Sequence, residues 1–220
     1  MIDLHTHTLF SDGELVPSEL VRRAEVMGLT AIGLTDHGDS SNIDWIIPRV
    51  VAVAEELNRV MGITVVPGIE ITHVPPVLIP EIARRARSLG AKIIVVHGET
   101  ISEPVAPGTN ASALVSDIDI LAHPGLITRE EALLAREKGI LLEITARKGH
   151  SLTNGHVAAL ARETGAGLLI NTDTHAPSDL INEKTARKIV CGAGLTEEDF
   201  STMQKNAWQL VQAKMETPKH

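Results

Sequence analysis

The chain has 220 residues, 43% of them hydrophobic and 22% charged, which allows one large domain with a self-sufficient core and excludes a disordered chain. Its 28 acids outnumber 20 bases, leaving −8 with histidine neutral, and aromatics make up 2% with no Tyr at all. Such a surface disfavours non-specific nucleic-acid or anionic-membrane binding, and it lacks the stacking platforms of a single-strand binder.

No apolar run approaches the roughly 18 residues of a membrane span. A cleavable leader is not expected either, because the first candidate ligand stands at position 5. These readings predict a cytoplasmic protein. Cys191 is the single cysteine, so it forms no intrachain disulfide and is read as a small core residue. Any metal site must then use histidine and carboxylate.

The opening stretch predicts a strand over 2–7, on which alternate side chains share a face. Asp3, His5 and His7 would fall together, with the Asp3 carboxylate placed to accept a second ring N–H from a ligating histidine. Asp12 follows in a Ser-Asp-Gly turn that can swing it back over the same strand end. Further strands are expected over 31–35, 64–71, 91–97, 118–122, 140–145 and 167–172. Helical patterns lie between them, over 17–27, 43–61, 79–89, 129–138 and 153–164, each followed by glycine as a left-handed cap. The stretch 98–110, rich in Pro, Gly and Thr, reads as loop or lid. A last helix is expected over 196–214 with Thr196 as N-cap. Strand–helix alternation argues a parallel sheet with right-handed crossovers, and seven units suit a small closed (β/α) barrel forming a single domain over 1–220.

Six of the seven strands bring a histidine or acid to their C-terminal ends, the functional end of such sheets. They deliver His5, His7 and Asp12, then Asp36-His37, Glu70, His97, His123, and finally Asp173-Thr174-His175. Nitrogen and oxygen donors without sulfur suit Zn, Mn or Fe. Nine such groups exceed one tetrahedral site, so two to three divalent ions are expected, with Glu70 a natural bridging carboxylate. A multinuclear, carboxylate-bridged site suits water activation and phosphoryl transfer. The remaining strand end, after 140–145, supplies Arg147, which could grip a phosphate bidentately, and Lys148, a weaker point charge.

On Asp3-x-His5-x-His7, Ser11-Asp12-Gly13, Thr35-Asp36-His37, Gly68-Ile69-Glu70, His97, Ala122-His123-Pro124 and Asp173-Thr174-His175, the sequence resembles the polymerase-and-histidinol-phosphatase (PHP) family of metal-dependent phosphoesterases. The resemblance runs nearly the whole chain and implies a distorted seven-stranded barrel with a trinuclear site. It implies one metal on His5, His7, Glu70 and Asp173, a second on Glu70, His97 and His123, and a third on Asp12, His37 and His175.

The expected activity is therefore hydrolysis of a small phosphorylated substrate, such as histidinol phosphate or a nucleotide. Two alternatives stand beside it. An amidohydrolase also opens with His-x-His but usually adds a bridging lysine, and Lys92 lies at the wrong end of its strand. A non-catalytic barrel serving RNA processing would not need a full ligand set. Among other residues, His73 is expected to be exposed, and His150 and His156 to flank a substrate-side loop. Asp36, Glu99 and Asn171 are expected to orient ligands, and His220 to be tail.

Overall fold

The computed structural model describes residues 1–215; the last five residues of the expected single domain, His220 among them, lie outside that range. Eight short parallel strands form one sheet of seven staves. They are β1 (Ile2–Asp3), β2 (Ala31–Leu34), β3 (His37–Gly38), β4 (Thr64–Ile71), β5 (Ile93–His97), β6 (Ile120–Ala122), β7 (Leu141–Thr145) and β8 (Leu168–Asn171). The order is β1-β2-β4-β5-β6-β7-β8, and β3 pairs with the upper part of β4 while β2 pairs with its lower part. β2 and β3 are thus one stave interrupted at Thr35-Asp36. A parallel bridge between Thr6 and Thr174 brings the first stave against the last, so the sheet is a nearly closed barrel.

Between the strands run α1 (Pro17–Val26), α2 (Ile43–Asn58), α3 (Ile79–Ser88), α4 (Thr109–Leu114), α5 (Arg129–Lys138), α6 (Asn154–Thr164), α7 (Glu183–Gly192) and α8 (Glu197–Met215). Their apolar faces and the outward faces of the strands make the main core, including Ile32, Leu34, Ile69, Ile94, Leu121 and Ile144. A second cluster fills the barrel's interior: Ile2, Leu4, Ala31, Val66, Ile93, Val95, Ile120, Ala122 and Leu169, closed below by Ala207 and Val211 of α8. Hydrogen bonds fix that closure, from the Ile2 N–H to Gln204 Oε1 at 2.7 Å and from Asn206 Nδ2 to the Leu168 carbonyl at 2.9 Å. Lys214 Nζ adds an ion pair to buried Asp119 at 2.6 Å. No helix among the described residues is long and apolar enough to cross a membrane.

Several boundaries differ from the sequence reading. The first ladder covers only Ile2–Asp3, because Asp3 Oδ1 accepts the His5 backbone N–H at 3.3 Å and bends the chain out of strict alternation. α2 stops at Asn58 rather than 61. The Asn58 side chain is drawn away to exchange hydrogen bonds with both backbone groups of Val65, at 2.7 and 2.8 Å. Gly139 and Gly165 are left-handed caps as expected, whereas Gly62 does not take positive φ. α4 and α7 depart from the sequence reading, the first being only six residues long and taking up the last two residues of the stretch 98–110 expected as loop. Cys191 is not in the core: on α7 it is Ala186 and Val190 that turn inward, leaving the thiol on the exposed face.

A candidate metal centre at the mouth of the barrel

His5 and His7 leave the end of β1 between two neighbouring staves, whose backbone groups hold this stretch from both sides. Thr35 N–H bonds to the Thr6 carbonyl at 2.9 Å, and His7 N–H to the Thr174 carbonyl at 2.9 Å. Asp12 is set by Asp36, which accepts the N–H and hydroxyl groups of Thr8 and Ser11 at 2.7–3.1 Å and pins the turn between them. Asp36 therefore acts on loop shape rather than on a ring. Gly13 is required in that turn, since a Cβ there would collide with the His7 carbonyl.

The nine sequence-selected residues converge on Glu70, buried at the end of β4. Its Oε1 lies 3.3 Å from His5 Nε2, 3.3 Å from His97 Nδ1 and 3.7 Å from His123 Nε2. Its Oε2 lies 2.6 Å from His37 Nδ1 and 3.8 Å from His7 Nε2. Asp173 Oδ1 reaches His7 at 3.1 Å and His5 at 3.7 Å, and its Oδ2 reaches His123 at 3.7 Å. Asp12 meets His175 at 3.2 Å and His37 at 3.4 Å. Four groupings drawn from the nine could hold an ion: His7, Asp12, His37 and His175; His5, His7 and Glu70; His5, His123 and Asp173; and Glu70, His97 and His123; a fifth joins His97 to His73 and Glu103 at the rim.

Burial and crowding set the charges. Burial and the neighbouring His37 push His7 down to about 3, and burial with His97 holds His123 well below its ordinary value. Burial also opposes charge on His5, yet Glu143, Glu70 and Asp173 hold its pKa well above the ordinary value. Glu70 and Asp173 stay ionised despite burial, held low chiefly by His5 with His37 or His7. His5 Nε2, both nitrogens of His7 and His123, Glu70 Oε1 and Asp173 Oδ1 are buried without a hydrogen-bond partner. Folded proteins rarely tolerate this many orphaned polar atoms together. Neutral His7 and His123, with His5 releasing its proton as an ion binds, stand among ionised carboxylates, and such a donor set fits divalent cations.

Among the described residues, three that are not glycine take positive φ, His73 at 52°, His123 at 28° and Asp173 at 53°, and all stand at this mouth. Such backbone conformations persist where surrounding structure over-determines them.

Around the nine lie residues that the sequence reading missed or misplaced. His5 Nδ1 is held by Glu143 Oε2 at 2.8 Å, and Asn171 Nδ2 donates to the same oxygen at 2.9 Å. Asp3 does not take that role; it accepts from Thr172 and is pushed up to about 6 by burial. The signal for Glu143 was present, a lone acid in the apolar run Leu-Leu-Glu-Ile-Thr of β7. Glu99 shapes its loop, accepting the Gly108 and Asn110 N–H groups at 3.0 and 2.9 Å, and touches none of the nine. His73 is partly exposed as expected but bonds to Glu103 at 2.9 Å. His150 is buried, stacked on His123 at 4.2 Å; His156 instead bonds to the Ile127 carbonyl.

A cavity of about 280 Å³ opens over the cluster, lined by Asp12, His37, Thr72, His73, His97, Glu103, Arg147, His150, Asp173 and His175. Arg147 is half-buried there and pairs with Asp179 at 3.0 Å, which in turn caps the His175 and Ala176 N–H groups. Lys148 is exposed and does not line the cavity.

With this geometry in hand, the likenesses to known proteins are informative. The PHP domain family model matches residues 3–96. An uncharacterized protein of Methanocaldococcus jannaschii, MJ1295, is 54% identical over 200 residues, covering 90% of this chain and 92% of its own. A protein of Thermoanaerobacter sp. named as a probable phosphatase is 26% identical, covering 90% of this chain and 88% of its own. Among solved structures, a chain in the cryo-EM structure of archaeal ribonuclease P with mature tRNA superposes at a TM-score of 0.73 with 16% identity, covering 97% of this chain and 91% of that one. That last likeness shows the fold alone.

Proposed function

The chain belongs to the PHP domain family, and from that premise we propose that it is a metal-dependent phosphoesterase acting on a small phosphomonoester. The observation that carries the reading is Glu70, whose two oxygens face different histidine groups, Oε1 toward His5, His97 and His123 and Oε2 toward His7 and His37. Its Oε1 alone lies between His5 of one set and His97 and His123 of another, which supports a carboxylate shared between ions. In this reading His5, His7, Glu70 and Asp173 hold one ion, Glu70, His97 and His123 a second, and Asp12, His37 and His175 a third. When bound, such divalent transition-metal ions (Zn, Mn or Fe) lower the pKa of water and offset the charge of a transferring phosphoryl group.

The chain's own residues do the rest. Arg147 faces the cavity beside the cluster and can donate two N–H bonds to non-bridging phosphate oxygens. Asp179 holds the guanidinium in position and neutralises part of its charge. Lys148, exposed, contributes at most long-range attraction. The small and wholly polar lining supports a compact polar monoester as substrate, and it has no aromatic ring beyond imidazole on which a nucleobase would stack. The net charge of −8 supports a small-molecule substrate over a nucleic acid, and a cytoplasmic setting without a membrane partner accords with the single cysteine.

Two other readings are weaker. An amidohydrolase would want a bridging lysine at a strand's C-terminal end, and Lys92 stands just before β5 at the opposite end. A non-catalytic RNA-processing scaffold draws on the fold likeness to the ribonuclease P chain, but such a scaffold has no need of orphaned histidines.

Elemental analysis of the purified protein and turnover of a phosphomonoester panel, with and without chelation, test the proposal. Two to three equivalents of transition metal and activity abolished by chelation are expected. Glu70→Gln should lose metal and rate together; activity retained in metal-free protein would overturn the reading.

A further inference from the structure

Glu103 belongs to the one long loop at the mouth, and neither the nine residues nor Arg147 accounts for it. The loop around it is solvent-exposed from Ile101 to Pro104, yet the Glu103 carboxylate reaches back over the cavity. Its Oε2 lies 2.9 Å from His73 Nε2 and 3.2 Å from His97 Nε2, and its Oε1 lies 3.4 Å from His150 Nε2. The contact to His97 is bent, within ion-pair distance but off the line of the ring N–H. The other nitrogen of that ring, Nδ1, faces inward, 3.3 Å from Glu70 Oε1. His97 is therefore sandwiched between two carboxylates, one inside the cluster and one on the loop.

His5 shows the same arrangement in finished form. Its Nε2 faces Glu70 while its Nδ1 donates to Glu143 at 2.8 Å. Ligating histidines characteristically give their second N–H to an acceptor, which fixes tautomer and ring orientation and raises ligand basicity. Among the described residues, Glu103 is the carboxylate within reach of the outer nitrogen of His97.

We propose that Glu103 is a positioning residue for His97: its carboxylate accepts the outward Nε2–H and presents Nδ1 to the metal shared with Glu70 and His123. The loop is thereby coupled to metal occupancy. His73, strained at φ 52° and bonded to the same carboxylate oxygen, holds Glu103 at the rim. The proposal rests on the metal-dependent reading above but does not depend on the substrate.

Competitive titration of the full-length protein with Zn²⁺ against a chromophoric chelator tests it, alongside the absorption spectrum of the Co²⁺ form. Glu103→Gln keeps shape but cannot accept as an anion. It should weaken one equivalent by about 10- to 100-fold, leave the others unchanged, and shift the Co²⁺ spectrum of that site. Glu103→Asp should restore part of the affinity. His73→Gln, which loosens the loop while sparing the Glu103–His97 pair, should cost less than Glu103→Gln. Equal affinities for wild type and Glu103→Gln at every equivalent would overturn the role of Glu103 alone. So would an equal loss in His73→Gln, which would make loop docking the cause. Wild-type protein that binds fewer than two equivalents would remove this proposal and the phosphoesterase reading together.

Discussion

The floor and the mouth of this barrel are built by the same strands and solve opposite problems. On β5, Ile93 and Val95 join the apolar interior cluster, and two residues on comes His97. Val66 of β4 lies in that cluster, and the same alternation reaches Glu70; Leu169 of β8 leads to Asn171 and then Asp173. One face of each of these three staves therefore runs from hydrocarbon to ligand within about two steps of the pleat. At the floor the apolar side chains of the interior cluster pack with Ala207 and Val211 of α8, and Gln204 Nε2 is the buried polar atom there without a partner among the described residues. At the mouth, buried nitrogens and carboxylate oxygens stand without partners, and the backbone turns through positive φ at His123 and Asp173. The floor supplies the stability against which the mouth can hold its unpaired polar atoms.

That contrast makes the two regions separable by mutation. The largest effect is expected at the floor. Ala207→Asp would place a carboxylate in the apolar cluster of Ile2, Val66 and Leu169, costing about 3 kcal/mol. Urea denaturation should show the lower midpoint, while the folded fraction should keep its metal equivalents; a midpoint close to wild type would mean that α8 does not seal the interior. A smaller effect is expected one level up, at Glu143. Glu143→Gln keeps the bond from Asn171 but loses the anionic acceptor of His5 Nδ1. It should weaken one metal equivalent by about 10- to 100-fold with little change in urea midpoint, the reverse of the floor variant. Loss of stability without loss of metal affinity would put Glu143 with the floor instead.

The smallest effect is expected at the rim. A charge-assisted hydrogen bond is worth about 1.5–3 kcal/mol. Asp179 already neutralises part of the Arg147 charge, so Arg147→Ala should lower kcat/KM by about tenfold, toward the weak end of that range. Metal content should stay intact, and Arg147→Lys should recover only part of the loss because a point charge cannot reproduce the fork. Wild-type kinetics in Arg147→Ala would leave the phosphate to be held without this side chain.

Residues that repeat a local rule were legible from sequence. Period-two alternation and the helix-ending glycines announced the staves and crossovers, and histidines and acids at strand ends announced which face of the sheet carries the site. The nine residues named on that ground do converge in space, since strand parity and the parallel direction of all staves leave their C-terminal ends together. Arg147 likewise reaches the cavity, because it leaves the one stave end that brings none of the nine.

What sequence could not decide were the contacts between staves far apart in the chain. Asp3 stands two residues from His5 and looked like its acceptor, but Glu143, 138 residues away, holds the ring. Nothing in local spacing could choose between them, because the choice follows from barrel closure, which sets β8 beside β1 with β7 next to it and turns Asp3 toward Thr172. The same holds for Glu103, an ordinary loop acid until the loop folds over His97, and for Cys191, whose exposure depends on which face of α7 meets the core. Composition and periodicity determined the fold and the end of the barrel that bears the site, for these are short-range properties of the backbone and of hydrophobic burial. The partner of each ring nitrogen was decided only when the first stave met the last, because hydrogen-bond geometry is set by distances of a few ångströms between segments that the sequence keeps far apart.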